Sequence, residues 1–531
     1  MKRFLVLIVF VCLSGLCFFS RVTGMGFFGD LDRDAGQFDR AVGSGIKSPE
    51  AVDILILSGT IITMDGERRV IENGALAIAD GRIVEVGRTQ ELETQYRAAR
   101  TINAKNKVVM PGLIDGHGHS GHTLVKTMGM GRPDGWWRAC EVIYAEGSDE
   151  DFWRADALLA SLERLKFGVT CGVTYFGGGD SVMRTDDPKY GDLHLEAVQK
   201  VGIREFLAVG PRRAPFPRKY SHWDGDSRRD VMVSFEQQLE TCESLIQRWH
   251  GKADGKINLC IMFPVHHSEL DTLDSIQLDD MRRRAKATRA LTEKYGLLFT
   301  QDGHTRTTIK FAHEELGILG SDSLLSHCTE ITKEEIQICK ENDIKVVHNP
   351  SANYSMRGRC PVTELLDAGV TVMLGSDGTG PDRSYDMFRH MFQCMRYHRF
   401  YFRDASVLPA GKVLEMVTID AARALGLEDE LGSLEPGKRA DVILIDMFKP
   451  HLVPANMPVH RVAYFANGND VDTVIINGEV LMENRRVKTV NEAEVLELAE
   501  KAIKNAIRRT NLEHLLTLPE SFWGVTKGLS Q

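Results

Sequence analysis

The 531-residue sequence predicts an α/β protein, a (β/α)8 TIM barrel with a small β-sandwich domain built from both chain ends. Three observations predict it. The middle of the chain alternates apolar strand candidates with helix-patterned segments, the signature of parallel strands joined by crossovers. Both flanks are short strands broken by Gly-containing turns. Histidines and an aspartate recur where the middle strands end, the edge at which a parallel barrel gathers its functional side chains.

The elements follow in order. Met1-Lys2-Arg3 precedes an apolar run from Phe4 to Ser20, which reads as an export signal or signal anchor over residues 1–24. The protein is therefore expected to be exported or membrane-anchored through this segment; if Met25 is the true start, it is cytoplasmic. Residues 25–50, rich in Gly, Asp and Arg, read as a linker. Residues 51–107 form the first part of the β-sandwich, with hairpin signals at Ser58-Gly59 and Asp80-Gly81. Its second part is expected over 431–490, and a helix from Glu492 to Arg509 lies in the C-terminal segment 491–531.

The catalytic domain is placed at 108–430, with barrel strands at 108–114, 168–176, 203–210, 256–265, 296–300, 323–327, 344–348 and 370–375. Helices are expected from Asp151 to Lys166 and from Lys333 to Asn342. Net charge is −9 and no basic stripe occurs, which argues against a nucleic-acid partner; the partner expected of a hydrolase is a small-molecule substrate. Ten cysteines lack CxxC pairing, so neither a disulfide framework nor a zinc finger is indicated. Cys171, Cys260 and Cys328 read as small buried hydrophobes.

The strand ends carry the chemistry. Strand one delivers His117 and His119, one residue apart and so on the same face. Strand four ends in His266-His267, strand five runs on to Asp302-Gly303-His304, and strand six ends at His327. Strand seven reaches His348-Asn349-Pro350 and Asn353, and strand eight ends at Asp377. Imidazoles and a carboxylate at one barrel end suit a catalytic zinc or iron site with an open position for water.

The motifs PGLIDGHGH (111–119), SHCTEIT (326–332), HNPSANYSM (348–356), GSDG (375–378) and LGSLEPGKRADVILID (431–446) together resemble the amidohydrolase superfamily. Within it they resemble the cytosine deaminase-like branch, with its adenosylhomocysteine deaminases and triazine chlorohydrolases. The resemblance spans residue 51 to about 510. It implies that His117 and His119 are metal ligands, and that Asp377 is both ligand and general base. It implies that His327 polarises the substrate, and that His266 and Asn353 contact it. Trp136 and Trp137 lie where a pocket-lining loop is expected. Homo-oligomers are common in the family.

Strand five departs from the family pattern, which places a metal-binding histidine at the strand end and, in the deaminases, a glutamate three residues on. Thr300 and Gly303 stand there instead. His304 is expected as the third imidazole ligand, with Asp302 as a weaker carboxylate candidate. No lysine ends strand four, which favours a single divalent ion, zinc ahead of iron, over a carbamate-bridged pair. The expected activity is metal-dependent hydrolysis of a non-peptide C–N bond in a nitrogen heterocycle, cyclic amide or amidine. The alternatives are hydrolytic dechlorination of a heteroaromatic ring and a non-catalytic binding protein on the same scaffold.

Overall fold

The structure is a computed structural model that describes residues 49–132, 135–179, 182–267, 272–353, 358–519 and 522–524. The expected leader over 1–24 and the linker as far as Ser48 lie outside the described residues. No helix among the described residues is long and apolar enough to cross a membrane.

The two chain ends build one mixed sheet of nine strands. From the N-terminal side come β1 (Glu50–Ile62), β2 (Val70–Ala79), β3 (Arg82–Arg88), β4 (Tyr96–Asn103) and β5 (Lys107–Pro111). Residue Ile54 pairs with Ile78 and Ile56 with Leu76 across β1 and β2, so the alternate isoleucines of β1 share one buried face. That face packs Ile83 of β3 against Val109 of β5 and against Val442, Leu444 and Ile475 from the other chain end. The sheet curls far enough that the amide of Ala440 donates to the carbonyl of Gly81 (2.9 Å).

The barrel follows. Its strands are β6 (Leu113–His119), β7 (Val169–Tyr175) and β8 (Arg204–Val209), then, after an inserted hairpin of β9 (Arg218–Asp224) and β10 (Ser227–Val233), β11 (Ile257–Met262), β12 (Phe299–Gln301), β13 (Ser323–Ser326), β14 (Lys345–His348) and β15 (Val372–Leu374). The eight strands are ordered sequentially and all neighbouring pairs are parallel. Every residue of β6, β7 and β8 is buried, as a parallel sheet covered on its outside and filled on its inside requires. The second part of the outer sheet is β16 (Val442–Asp446), β17 (Val471–Ile476), β18 (Glu479–Glu483) and β19 (Arg486–Val487). Strand β16 joins the two ends by pairing antiparallel with β5, Val442 against Pro111 and Asp446 against Lys107.

One expected strand is corrected. The apolar run 108–114 is not a single barrel strand: its first part is β5 of the outer sheet, and the barrel strand begins at Leu113. Gly112 makes the break. A Cβ there would lie 2.1 Å from Thr170 Oγ1, so only glycine lets the chain pass β7 at this point.

The helices fall close to expectation, at Glu150–Lys166, Lys333–Glu341 and Glu492–Thr510. Asp149 starts the first by accepting from the Phe152 amide (3.0 Å), and Thr332 and Glu335 form a reciprocal capping box on the second. The last turn of the first helix carries Arg164, which is buried against the barrel strands.

There Arg164 Nη2 meets Asp115 Oδ2 at 2.9 Å and Nη1 meets Glu205 Oε2 at 3.3 Å. Glu205 in turn pairs with His194 (2.6 Å). All four side chains are buried, and the Arg164 guanidinium lies 4.3 Å from the Tyr385 ring centroid. Asp115 also accepts from the Ser376 amide and hydroxyl, each at 2.8 Å, which ties the end of β15 to β6.

Candidate metal centre

The C-terminal ends of the barrel strands bring five side chains to one point. His117 Nε2 lies 3.2 Å from Asp302 Oδ1 and 3.3 Å from Asp377 Oδ1. His119 Nε2 lies 3.0 Å from Asp377 Oδ1 and 3.6 Å from Asp302 Oδ2. His327 Nε2 lies 3.2 Å from Asp302 Oδ1 and 3.7 Å from Asp377 Oδ1. His117, His119 and Asp302 form one compact ligand group, and His117, His327 and Asp377 another.

These spacings fit a cation. Ligands at about 2.0–2.1 Å around a tetrahedral ion stand about 3.3 Å from one another. Among the described residues, the buried Nε2 atoms of His117 and His327 find no hydrogen-bond partner, which leaves them open to a metal. The electrostatics agree. Burial alone would lower the pKa of His117, but the carboxylates of Asp302 and Asp377 push it up to about 9. Burial alone would raise Asp302, yet His117, His327 and His119 hold it well below the usual carboxylate range. Two carboxylates crowded among imidazoles call for positive charge at their centre.

The surroundings orient these groups. His119 Nδ1 donates to the Gly177 carbonyl (3.0 Å), which leaves Nε2 to face the cluster. His327 Nδ1 donates to Asn353 Oδ1 (2.8 Å), and Asn353 Nδ2 donates to the His327 carbonyl (3.1 Å), so one amide sets both ring and backbone. His327 and Asp377 themselves adopt left-handed backbone, with φ of 66° and 61°, a conformation that costs non-glycine residues energy and gathers at functional sites. Ser326 Oγ donates to Asp302 Oδ1 at 2.8 Å.

The residues singled out from the sequence divide. His117, His119, His327 and Asp377 converge, and Asn353 lies directly behind His327. Trp136 packs on the ring of His122 (centroids 5.0 Å apart), and His122 on that of His119 (4.5 Å), so Trp136 sits one ring removed from the cluster. Trp137 points outward and is 48 % exposed. His266 is half-buried with its ring 4.9 Å from that of Phe311, and burial lowers its pKa.

His304 is not among the residues of the two ligand groups, whereas Asp302, two residues before it, belongs to one of them. Gly303, at φ of 91°, turns the chain between them. His304 is carried toward β13, where its amide donates to the Ser326 carbonyl (3.1 Å) and its Nδ1 pairs with Thr308 Oγ1 (2.9 Å).

Two groups escaped the sequence reading. Arg383 Nη1 lies 3.4 Å from Asp377 Oδ2 and nothing in its spacing announces it. His122 follows His119 by three residues, so its place in the same histidine-rich run was a usable signal. It is buried, and burial with nearby His119 holds its pKa well below that of free histidine, so it remains neutral.

Residues 108–481 match the amidohydrolase family, and residues 74–99 match an imidazolonepropionase-like composite domain of bacteria. A 5-methylthioadenosine/S-adenosylhomocysteine deaminase from Syntrophobacter fumaroxidans is 32% identical over 459 residues, 84% of this chain and 96% of the relative. A 5'-deoxyadenosine deaminase from Methanosarcina acetivorans is 32% identical over 479 residues, 86% of this chain and 99% of the relative. Among solved structures, a zinc-bound adenosine deaminase from Xanthomonas campestris superposes with a TM-score of 0.73 at 23% identity, covering 87% of this chain and 99% of its own. A zinc-bound atrazine chlorohydrolase from Arthrobacter aurescens gives 0.66 at 22% identity, covering 85% and 100%.

Proposed function

The chain belongs to the amidohydrolase family, and from that premise we propose that it is a metal-dependent hydrolase that cleaves a C–N bond on a nitrogen heterocycle, releasing ammonia from an aminopurine nucleoside. The observation that carries this reading is the set of 3.0–3.7 Å spacings that His117, His119 and His327 make with the carboxylate of Asp377 at the mouth of the barrel. The relatives named as deaminases of 5'-deoxyadenosine and methylthioadenosine point to the substrate class.

His117, His119 and Asp377 would hold one divalent ion, zinc ahead of iron. When bound, the ion makes hydroxide available from water near neutral pH. Asp377 accepts the proton of the attacking water and returns it to the departing nitrogen. Arg383 beside it keeps its second oxygen anionic. His327, fixed by Asn353, would donate from a protonated Nε2 to the ring nitrogen that gathers negative charge as the ring carbon becomes tetrahedral. Trp136 and His122 form an aromatic wall beside His119, suited to a planar base.

The test is product analysis with 5'-deoxyadenosine, methylthioadenosine and a chlorinated triazine. Ammonia from a nucleoside, lost on chelation and regained with added metal, supports the reading. Chloride from the triazine without ammonia from any nucleoside would assign dechlorination instead, and no product with any of them would leave a binding protein. Residues 4–20 are proposed as the export or anchoring segment, to be tested by fractionating cells that express the chain with and without residues 1–24.

A further inference from the structure

We infer that Asp302 is itself a metal ligand, supplied by the fifth barrel strand in place of an imidazole, and that it shifts the centre toward hard, oxygen-preferring divalent ions such as manganese. The inference rests on the metal-hydrolase reading above and concerns the make-up of its centre.

Strand β12 has three side chains at its mouth that could reach the cluster, and two are occupied elsewhere. Thr300 Oγ1 donates to the Leu324 carbonyl (2.7 Å). Gln301 Nε2 donates to the Phe263 carbonyl (3.0 Å). Asp302 remains, and both its oxygens are engaged with the cluster: Oδ1 lies 3.2 Å from each of His117 Nε2 and His327 Nε2, and Oδ2 lies 3.6 Å from His119 Nε2. Asp377 makes comparable spacings of 3.3, 3.0 and 3.7 Å with the same three nitrogens, so both carboxylates border the same imidazoles.

The neighbourhood is built for that carboxylate. Ser326 Oγ donates to its Oδ1 at 2.8 Å, the outer hydrogen bond that orients ligating carboxylates. Gly179, at φ of 79°, makes room on the other side: a Cβ there would stand 2.7 Å from Asp302 Oδ2. Gly303 then turns the chain, and Nδ1 of the next residue, His304, pairs with Thr308 Oγ1 (2.9 Å).

The chemical consequence concerns ion choice. Imidazole suits zinc, whereas carboxylate oxygen suits manganese and magnesium. A second carboxylate also cancels the remaining charge of a divalent ion, so the ion is held more by charge and less by nitrogen donation.

The experiment uses the full chain, stripped with a chelator, and competes it against a chromophoric chelator for Zn²⁺ and Mn²⁺ separately. Asp302→Asn should lose both ions by more than about a thousandfold, beyond the roughly 10–100-fold loss usual for an outer-sphere partner. Asp302→His should recover zinc without recovering manganese, raising the zinc-to-manganese affinity ratio by about tenfold or more. Circular dichroism checks folding, and Asp302→His carries the test alone if the Asn variant does not fold. An unchanged ratio in Asp302→His, or unchanged affinity in a folded Asp302→Asn, overturns the ligand assignment while leaving the hydrolase reading intact. A parent protein that takes up neither ion overturns both.

Discussion

The backbone amide of Asp377 donates to the carbonyl of His117 at 2.8 Å. The carboxylate proposed to handle the proton is thus anchored to the strand that carries two of the imidazoles, and the first and last strands of the barrel are joined at the point of chemistry. Moving either strand end would displace both partners together.

Because its backbone holds the geometry, Asp377→Asn should leave the fold in place and remove the proton acceptor. Ammonia release should fall by about 10²–10⁴-fold, with an unchanged circular dichroism spectrum. Retained turnover would show that another group takes the proton.

The Asn353 amide holds His327 at two places. Asn353→Ala should free the imidazole and lower kcat by on the order of tenfold to a hundredfold, with KM changed much less. Steady-state kinetics separates this from a direct substrate contact, for which KM would rise in step.

Arg164 is buried between Asp115 and Glu205. Arg164→Met removes the cation and strands both carboxylates, so stability should drop by about 3–5 kcal/mol. The urea midpoint reads this directly; a variant as stable as the parent would mean that the carboxylates relax to water.

Burial raises the pKa of Asp156 to about 6, against lowering contributions from the Gly121 and Thr123 amides and His194. The folded protein therefore keeps a proton that the unfolded chain releases above its ordinary pKa of 3.8. Stability attached to this group is full below about pH 4 and is lost as pH rises through about 6, a decline of roughly 3 kcal/mol. Asp156→Asn should flatten that part of the curve of stability against pH, measured by urea midpoints at pH 4, 5 and 6; an unaltered slope would place the titration elsewhere.

The eight described cysteines are buried and unpaired. Burial pushes the thiols of Cys140, Cys171 and Cys339 up to about 12. In a Cys12→Ser/Cys17→Ser variant, a thiol reagent at neutral pH should label none of the eight quickly in native buffer and all of them in denaturant. Fast native labelling would reveal an opening at one of these sites.

The barrel could be read from the chain because its strands are continuous apolar runs and its helices begin at clear caps such as Asp149 and Thr332. The run at 108–114 misled because hydrophobicity does not stop at Gly112; the division there is imposed by Thr170, a neighbour distant in sequence. The convergence of His117, His119, His327 and Asp377 is legible because each lies within three residues of the end of an apolar strand. Whether Asp302 or His304 faces the cluster depends on the left-handed turn at Gly303, which composition and spacing do not reveal. Arg383 comes from a loop and reaches Asp377 only through tertiary folding.

Gly112 has one more effect. A single residue separates Pro111, paired with Val442 in the outer sheet, from Leu113, the first residue of the strand that ends at His119. The outer sheet and the barrel are therefore joined here without a linker at which the barrel could be cut free for engineering. A circular permutant would have to keep residues 107–119 unbroken, and loosening of the outer sheet, however far from the mouth of the barrel, would be felt at His117 as slack in the strand that carries it.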